Sequence, residues 1–397
     1  MNWNDSPHGL NAELVRSQNQ AAILQQLFAS GPMTRGDLAE SVGLTGASVS
    51  RIVRACIEIG LIEETGVVSE MRVGRRATLL ALSSTRYGVA SVHVGFIWLD
   101  IGIVNLQLVL LESLRISRNP RLSVEETVDQ ISEIIRMLAA KRGNLNILAI
   151  GVTLRTAVTP KADKISSRNL MQWPEMNLAD AVQTATGLPT IVEDDLVAMA
   201  MAEVMHRNME LGEPLVLVSV GVAIGAGVVL NGEVLRGADG MAGFLETLEI
   251  SNTANSPLFG KDLTDLAVIE RCRQLGYEVT TILDVVGIAK RDGRVHELLQ
   301  QRAQGVAQML RVLAPVFNPR QFVMVGSAFF GDGYKEISEA YSEAVKHDSH
   351  AVPIVLGSFG EQEDVIGGAY VALRQVISPH LTLGAEPTGR VARYAPS

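Results

Sequence analysis

The segment Val89–Ser113, VASVHVGFIWLDIGIVNLQLVLLES, decides how the rest of the chain is read. Two short apolar runs flank Gly95, the layout of a strand, a tight turn and a strand, and such a turn could hold a phosphate. A phosphate cradle calls for Gly, Ser or Thr beside an acidic metal anchor. The turn instead offers His93, Phe96, Ile97 and Trp98. Whether it is a nucleotide site or only the shell of one depends on what surrounds it.

Upstream the pattern is helical. Ile23, Leu24, Leu27 and Phe28 make the stripe of a first helix, stopped by Gly31 and Pro32. Thr34 is placed to cap a second helix with Leu38 and Ala39 inward, and Gly43 to end it. Thr45 caps a third, whose core positions Val49, Ile52, Val53 and Cys56 keep i, i+3, i+4, i+7 spacing. Two short helices around a Gly-containing turn form a helix-turn-helix. After Gly60, LIEETGVVSEMRVGRRATLLAL has two β-prone ends around an Arg-bearing middle, which predicts a hairpin or wing.

On the third helix the 3.6-residue period puts Ala47, Arg51 and Arg54 opposite the core, with Ser48 and Ser50 on the flanks. That face is short-chained near its start and basic further along, as suits a helix entering a major groove. Arg72, Arg75 and Arg76 on the wing suit phosphates or a minor groove, because a guanidinium is a planar donor with no acceptor. Thr34, Thr45, Ala47, Ser48, Ser50, Arg51, Arg54, Arg72, Arg75 and Arg76 are the candidate DNA contacts. Residues 1–80 carry 7 Arg, no Lys and 8 acidic residues, so this part nets about −1 of the chain's −9, which predicts modest non-specific DNA affinity.

From Tyr87 strands and helices alternate. Strands are expected at Val89–Val94, Asp100–Asn105 and Gln107–Glu112, then a helix capped by Ser123 and Glu126. LNILAIGVT reads as a buried strand, NLADAVQTATGLP as a helix capped by Asn177 and ended by Gly187, and TIVED as a strand leading into a helix from Leu196. LVLVSVGVAIGAGVVLNGEVL reads as strands turning at Asn231 and Gly232. Further helices are expected around Leu298–Val316, Tyr334–Val345 and from Asp364, with strands at Gln321–Val325 and PIVLG. Strands ahead of helices, twice over, suggest two α/β lobes with a ligand cleft between them. The tail from Ser378 lacks periodicity.

Composition narrows the class. At 397 residues and 47% hydrophobic content, more than one core is expected. No segment is apolar for the roughly 18 residues a membrane helix needs, and the polar start lacks a signal core, so a cytoplasmic protein without membrane partners is expected. Cys56 and Cys272, both in helical apolar patterns, fit core positions better than a disulfide or a metal site.

The winged helix, joined to GLPTIVEDDLVAMAMAEV and VLVSVGVAIGAGVVLNGEVLRGADGMAG, resembles the ROK family of repressors, open reading frames and sugar kinases, over about Gln18–Ile377. The resemblance implies an N-terminal winged helix-turn-helix followed by a two-lobed, actin-like and hexokinase-like α/β fold. It also implies operator DNA as partner, a sugar or sugar-derivative effector, and a homodimer or homotetramer. The domains are then 1–17 as an extension, 18–84 as the DNA-binding domain, 85–200 and 201–377 as the lobes, and 378–397 as a flexible tail.

The resemblance also locates departures. Where the family's first phosphate loop has Asp, Gly and a Gly-Thr pair, this chain has His93, Gly95, Phe96 and Ile97. The second, Gly-Thr-Gly in the family, is Gly221, Val222 and Ala223. Phosphoryl transfer depends on positioning and charge stabilisation, so the turn at Gly95 reads as the shell of a nucleotide site, with no catalytic residue and no cofactor expected. The family's Glu-Asn-Asp aligns with Glu193, Asp194 and Asp195. Its Gly-Glu-Ile-Gly-His run aligns with Gly243 to Thr247, so Phe244 stands for a sugar-binding Glu and Thr247 for a zinc-binding His. The segment SNTANSPLFGKDL offers no thiolate or imidazole, and no metal is expected. Glu193, Asp194, Asp195, Phe244 and Thr247 are the candidate ligand contacts. The chain is thus expected to be a DNA-binding regulator, most simply a repressor, with effector-sensing lobes. The alternatives are a sugar kinase with a fused winged helix, or a regulator whose lobes answer to a partner protein.

Overall fold

The computed structural model describes residues 12–382 and 393–394, except 69–76, 144, 159–163, 170, 208, 210–211, 254–255, 330–332, 349 and 380. The chain opens with α1 (Ala12–Ser30), β1 (Met33–Thr34), α2 (Arg35–Ser41), α3 (Gly46–Ile59), β2 (Ile62–Val68) and β3 (Ala77–Leu82), the strands pairing in the order β1-β3-β2. This is a winged helix-turn-helix. Thr34 caps α2 with a reciprocal box to Asp37, and Thr45 caps α3 through the Ser48 N–H. Val49, Ile52, Val53 and Cys56 are buried on α3, as are Ile23, Leu24 and Leu27 on α1 and Leu38 on α2. Each such side chain contributes about 1.5–3 kcal/mol relative to exposure, far more than helix propensity. Burial pushes the Cys56 thiol up to about 12, so it stays an inert core thiol. The first helix starts at Ala12, inside the segment expected as an N-terminal extension, because nothing in AELVRS breaks it.

The chain continues through β4 (Tyr87–Val94), β5 (Trp98–Asn105), β6 (Leu110–Ser117), α4 (Val124–Ala140), β7 (Asn146–Leu154), β8 (Thr156–Val158), β9 (Lys164–Asn169), β10 (Met176–Asn177), α5 (Leu178–Thr186), β11 (Thr190–Asp194) and α6 (Asp195–His206). Next come β12 (Leu215–Val220), β13 (Ile224–Leu230), β14 (Glu233–Val234), β15 (Glu249–Thr253), β16 (Ser256–Phe259), α7 (Asp265–Gln274), α8 (Ile282–Ala289) and α9 (Gly293–Phe317). The last elements are β17 (Phe322–Val325), α10 (Gly333–Ala344), β18 (Ile354–Leu356), α11 (Glu363–Val376), β19 (Leu381–Thr382) and β20 (Arg393–Tyr394). Two five-stranded sheets result, ordered β11-β7-β4-β5-β6 and β14-β13-β12-β17-β18.

The strand expected at Gln107–Glu112 begins instead at Leu110. Asn105 Oδ1 accepts the N–H groups of Gln107 and Val109, and Leu108 takes φ 59°, so these residues are spent on the turn. The hairpin at Asn231 and Gly232 has positive φ at both, as that dipeptide favours. In the tail, β19 and β20 pair antiparallel, Leu381 with Tyr394, where no regular structure was expected.

The chain divides into two compact units: unit 1 is 1–152, 177–192 and 368–397, and unit 2 is 153–176 and 193–367. A lobe boundary at residue 200 falls inside α6, because the chain changes units several times and composition does not mark those crossings. Unit 1 joins the winged helix to the first large sheet and to the end of α11. Gln25 Nε2 donates to the Ile377 carbonyl at 3.3 Å, and the rings of Phe28 and Tyr370 lie 5.8 Å apart. Unit 2 has a core that joins β12, β13 and β17 to α9 and α10 through Val218, Val228, Val306, Leu310, Phe322 and Ile337. A satellite core of Val268, Cys272, Val285 and Val295 joins α7, α8 and α9. Among the described residues no helix is long and apolar enough to cross a membrane.

Unit 2 also buries a carboxyl pair. Glu203 is fully buried and takes hydrogen bonds from Arg207 and Ser358, while the Glu363 carboxyl accepts the Phe359 N–H at 2.9 Å. Burial, reinforced by the Glu203 charge, pushes the Glu363 carboxyl up to about 8. The native state then binds more protons than the unfolded chain between about pH 4.5 and 8, so this carboxyl erodes stability as pH rises through that window. Glu363→Gln should flatten the fall of the urea midpoint between pH 5 and 8 and leave the variant more stable than the parent at pH 8. An unchanged slope would remove Glu363 as its source.

Candidate functional site

The α3 face opposite the core is the first candidate. Thr45, Ala47, Arg51 and Arg54 are exposed, and Ser48 and Ser50 are half-buried on the flanks. The Thr45 hydroxyl is engaged with the Ser48 N–H at 3.2 Å and the Ser48 Oγ at 3.0 Å. Thr34 is half-buried, its hydroxyl shared between the Asp37 N–H at 3.2 Å and Asp37 Oδ2 at 2.8 Å. Both threonines therefore act as caps, which set the pitch and start of their helices. That leaves Ala47, Arg51 and Arg54 as an open short-then-basic strip. Arg72, Arg75 and Arg76 lie outside the described residues.

The second candidate lies in unit 2, where β11 runs into α6. Asp194 is the N-cap of α6, its Oδ1 accepting the Leu196 and Val197 N–H groups at 3.1 and 3.2 Å. Both its oxygens also lie 3.1 Å from Nη1 of Arg155, a residue only 4% exposed just past β7. Asp195 Oδ1 accepts its neighbour's N–H at 2.8 Å and sits 3.7 Å from the same guanidinium. Glu193 is gripped by both ends of the Arg236 fork, at 2.6 and 2.5 Å. Nη2 of Arg155 donates to the Gly243 carbonyl at 3.2 Å, and the guanidinium stacks 4.1 Å from the Phe244 ring. The guanidinium also lies close to Gly225, where an added Cβ would come within 2.1 Å of Nη2. Gly243 has φ +83°, and a Cβ there would meet the Ala226 carbonyl at 1.8 Å, so this approach of the Phe244 segment to β13 requires glycine.

Burial pushes the Asp194 carboxyl up to about 7 against the opposing pull of Arg155, and the Asp195 charge adds to the rise. Glu193, Asp194, Asp195 and Phe244 thus come together, whereas Thr247 is exposed at the end of a 3-10 turn over Leu245–Thr247. Arg155 and Arg236 were not anticipated. The available signal was an arginine inside the apolar run of NILAIGVTLRTAV, since a buried guanidinium requires acidic partners.

The two turns expected as phosphate-loop shells close on themselves. The Gly95 N–H donates to the Trp98 carbonyl at 2.9 Å, and Phe96, Ile97 and Trp98 are exposed. The Gly221 N–H donates to the Ala223 carbonyl at 3.0 Å, and the Gly221 carbonyl accepts from Asp265 at 2.7 Å. A cavity of about 510 Å³ lies elsewhere in unit 2, lined by Ile282, Val286, Leu299, Arg302, Ser327 and Ile337 among others. None of the candidate ligand residues lines it.

Residues 89–250 match the ROK family, and residues 16–63 match the winged helix-turn-helix DNA-binding family. The chain is 25% identical over 335 residues to the DNA-binding transcriptional dual regulator NagC of Escherichia coli K12, covering 80% of this chain and 82% of that protein. It is 24% identical over 402 residues to a putative xylose repressor of Caldicellulosiruptor, covering 93% and 98%. A solved ROK family transcriptional regulator, a homologue of the E. coli MLC protein, superposes with a TM-score of 0.72 at 22% identity over 92% of this chain and 97% of that one. A ROK family glucokinase from Streptomyces griseus, in complex with glucose and AMPPNP, superposes with a TM-score of 0.59 at 18% identity over 72% of this chain and 99% of that one.

Proposed function

Because this chain is a ROK family protein with a winged helix-turn-helix ahead of its ROK domain, we propose that it is a DNA-binding transcriptional regulator acting as a repressor, with units that sense a small-molecule effector and mediate self-association. The α3 strip of Ala47, Arg51 and Arg54 carries this reading, since it is exposed, rigidly capped at Thr45 and backed by a packed core. The wing Arg72, Arg75 and Arg76 would add phosphate or minor-groove contacts. The relatives named as a DNA-binding transcriptional dual regulator and a putative xylose repressor support a DNA-binding regulator.

The effector is a sugar or sugar derivative held at the cluster of Glu193, Asp194, Asp195 and Phe244. Phosphoryl transfer is not part of the role: the N–H groups of Gly95 and Gly221 are spent within their own turns, and the first of them carries exposed apolar side chains where a phosphate loop needs small or hydroxyl residues. A two-fold dimer or a tetramer of such chains presents recognition helices in pairs, so the operator is a rough palindrome with half-sites about one helical turn apart or a multiple of it. A gel-shift titration on the DNA upstream of the chain's own gene tests this. A discrete complex that survives excess random DNA is expected; equal affinity for random DNA at moderate salt would refute it.

A further inference from the structure

The cluster around Arg155 is closed to one class of ligand and incomplete for another. Asp194 spends its oxygens on Arg155 and on two N–H groups of α6, and Glu193 spends its own on Arg236. Among the described residues Asp195 Oδ2 is the one oxygen of the Glu193, Asp194 and Asp195 carboxylates left without a donor, so acceptor capacity for the hydroxyls of a neutral sugar is small. Donor capacity is left over. The Nε–H of Arg155 is buried without an acceptor among the described residues, and so is the hydroxyl of the next residue, Thr156, which is 0% exposed. Buried donors are rarely left unmet in a folded protein, and the Arg155 Nε–H beside an acidic cluster calls for an oxygen acceptor supplied from outside.

We propose that unit 2 binds a carboxylate-bearing small molecule, a sugar acid rather than a neutral sugar, with the Arg155 guanidinium as its anchor. This rests on the regulator reading and names the ligand class of its effector site. A carboxylate matches the planar fork that Nε–H and a terminal N–H of arginine present together. To receive it on Nε and Nη2, Arg155 exchanges the Gly243 carbonyl for the carboxylate, which adds a negative charge beside Asp194 that must be offset. Arginine cannot lose its proton, whereas the buried Asp194 carboxyl gains one near neutrality. The charged groups facing Asp194 are Arg155, Asp195, Glu193 and, beyond these, Arg236. Two guanidiniums and three carboxylates sum to −1, so an added carboxylate is accommodated when Asp194 becomes neutral. A cationic ligand competing for Asp194 would strand the Arg155 charge, and a phosphate would bring more charge than one proton offsets. Binding therefore takes up a proton and weakens by as much as tenfold per unit as pH rises above about 7.

Calorimetry and thermal shift on the full chain, with gluconate and glucuronate against glucose, N-acetylglucosamine, glucose 6-phosphate and acetate, test this. A sugar acid should bind with proton uptake, the neutral sugars should not bind, and Arg155→Lys should weaken the sugar acid at least tenfold. Asp194→Asn keeps a competent helix cap, and sugar-acid binding to it should lose its pH dependence. It also serves if Arg155→Lys fails to fold. A neutral sugar that stabilises the parent protein, a pH slope that survives Asp194→Asn, or no response to either sugar acid overturns the proposal. Operator binding is measured in parallel: a chain that binds DNA and ignores carboxylates fails this inference alone, and one that binds carboxylates but no DNA fails the regulator reading.

Discussion

Arg302→Ala should cost unit 2 about 3–5 kcal/mol of stability, the usual penalty for removing one partner of a buried ion pair. Arg302 lies on the inward face of α9, between Leu299 and Val306, and is 4% exposed. Its Nε–H donates to the Leu263 carbonyl at 2.8 Å and its Nη2 to Asp265 Oδ1 at 2.6 Å. Asp265, also 4% exposed, accepts the Ser327 hydroxyl on its other oxygen and donates its own N–H to Gly221. One guanidinium thus ties α9 to the start of α7, the turn after β12 and the residues following β17. Without it Asp265 keeps a buried charge with a single side-chain donor. Replacing both ions should behave differently: Arg302→Met with Asp265→Leu should recover most of the loss, since a well-packed apolar pair of similar volume is often neutral. Thermal and urea unfolding of the two forms decide it. A single Arg302→Ala variant within about 1 kcal/mol of the parent would mean that water reaches this pair and screens it.

Arg302 and Arg155 also mark where the sequence stops being informative. The winged helix was legible because its periods are strong and its caps local: Thr34, Asp37 and Thr45 lie within a few residues of the groups they bond. The doubled sheet was legible from the apolar runs of β4, β5, β12 and β13. What stayed hidden depends on distant pairs. Arg155 and Asp194 are 39 residues apart, Arg302 and Asp265 37, and nothing local pairs them. Both pairs could be anticipated only as a requirement, an arginine in an apolar stretch in need of a carboxylate. The short helix α7 was anticipated only as a helical apolar pattern around Cys272, and α8 not at all. Val268, Cys272 and Val285 bury against α9, so they are helical by tertiary contact more than by their own pattern.

The double variant Arg51→Ala, Arg54→Ala should lose about 2–4 kcal/mol of operator affinity, of which Arg51 supplies ~1–3 kcal/mol if it meets a base edge. The two residues differ in place along α3. Arg51 follows Ala47 by one turn, where the helix start is short-chained and able to sink into a groove, so its fork is positioned to face bases. Arg54 stands nearly one turn further along, where a helix leaving the groove meets phosphate. Arg51→Ala alone should therefore relax sequence preference, whereas Arg54→Ala should weaken all DNA alike and lower the salt slope by about one. Neither change should disturb folding: both side chains are exposed, and the buried residues Val49, Ile52, Val53 and Cys56 and the Thr45 cap are untouched. Unchanged melting with lost binding therefore separates recognition from stability. The charge near −1 over residues 1–80 sharpens the expectation, because little diffuse attraction remains to mask the loss of two local contacts. Binding isotherms for the parent, each single variant and the pair, taken at several salt concentrations, give all of these quantities. A pair that holds the operator within about threefold of the parent, some 0.6 kcal/mol, would show that this face of α3 is not the reading surface.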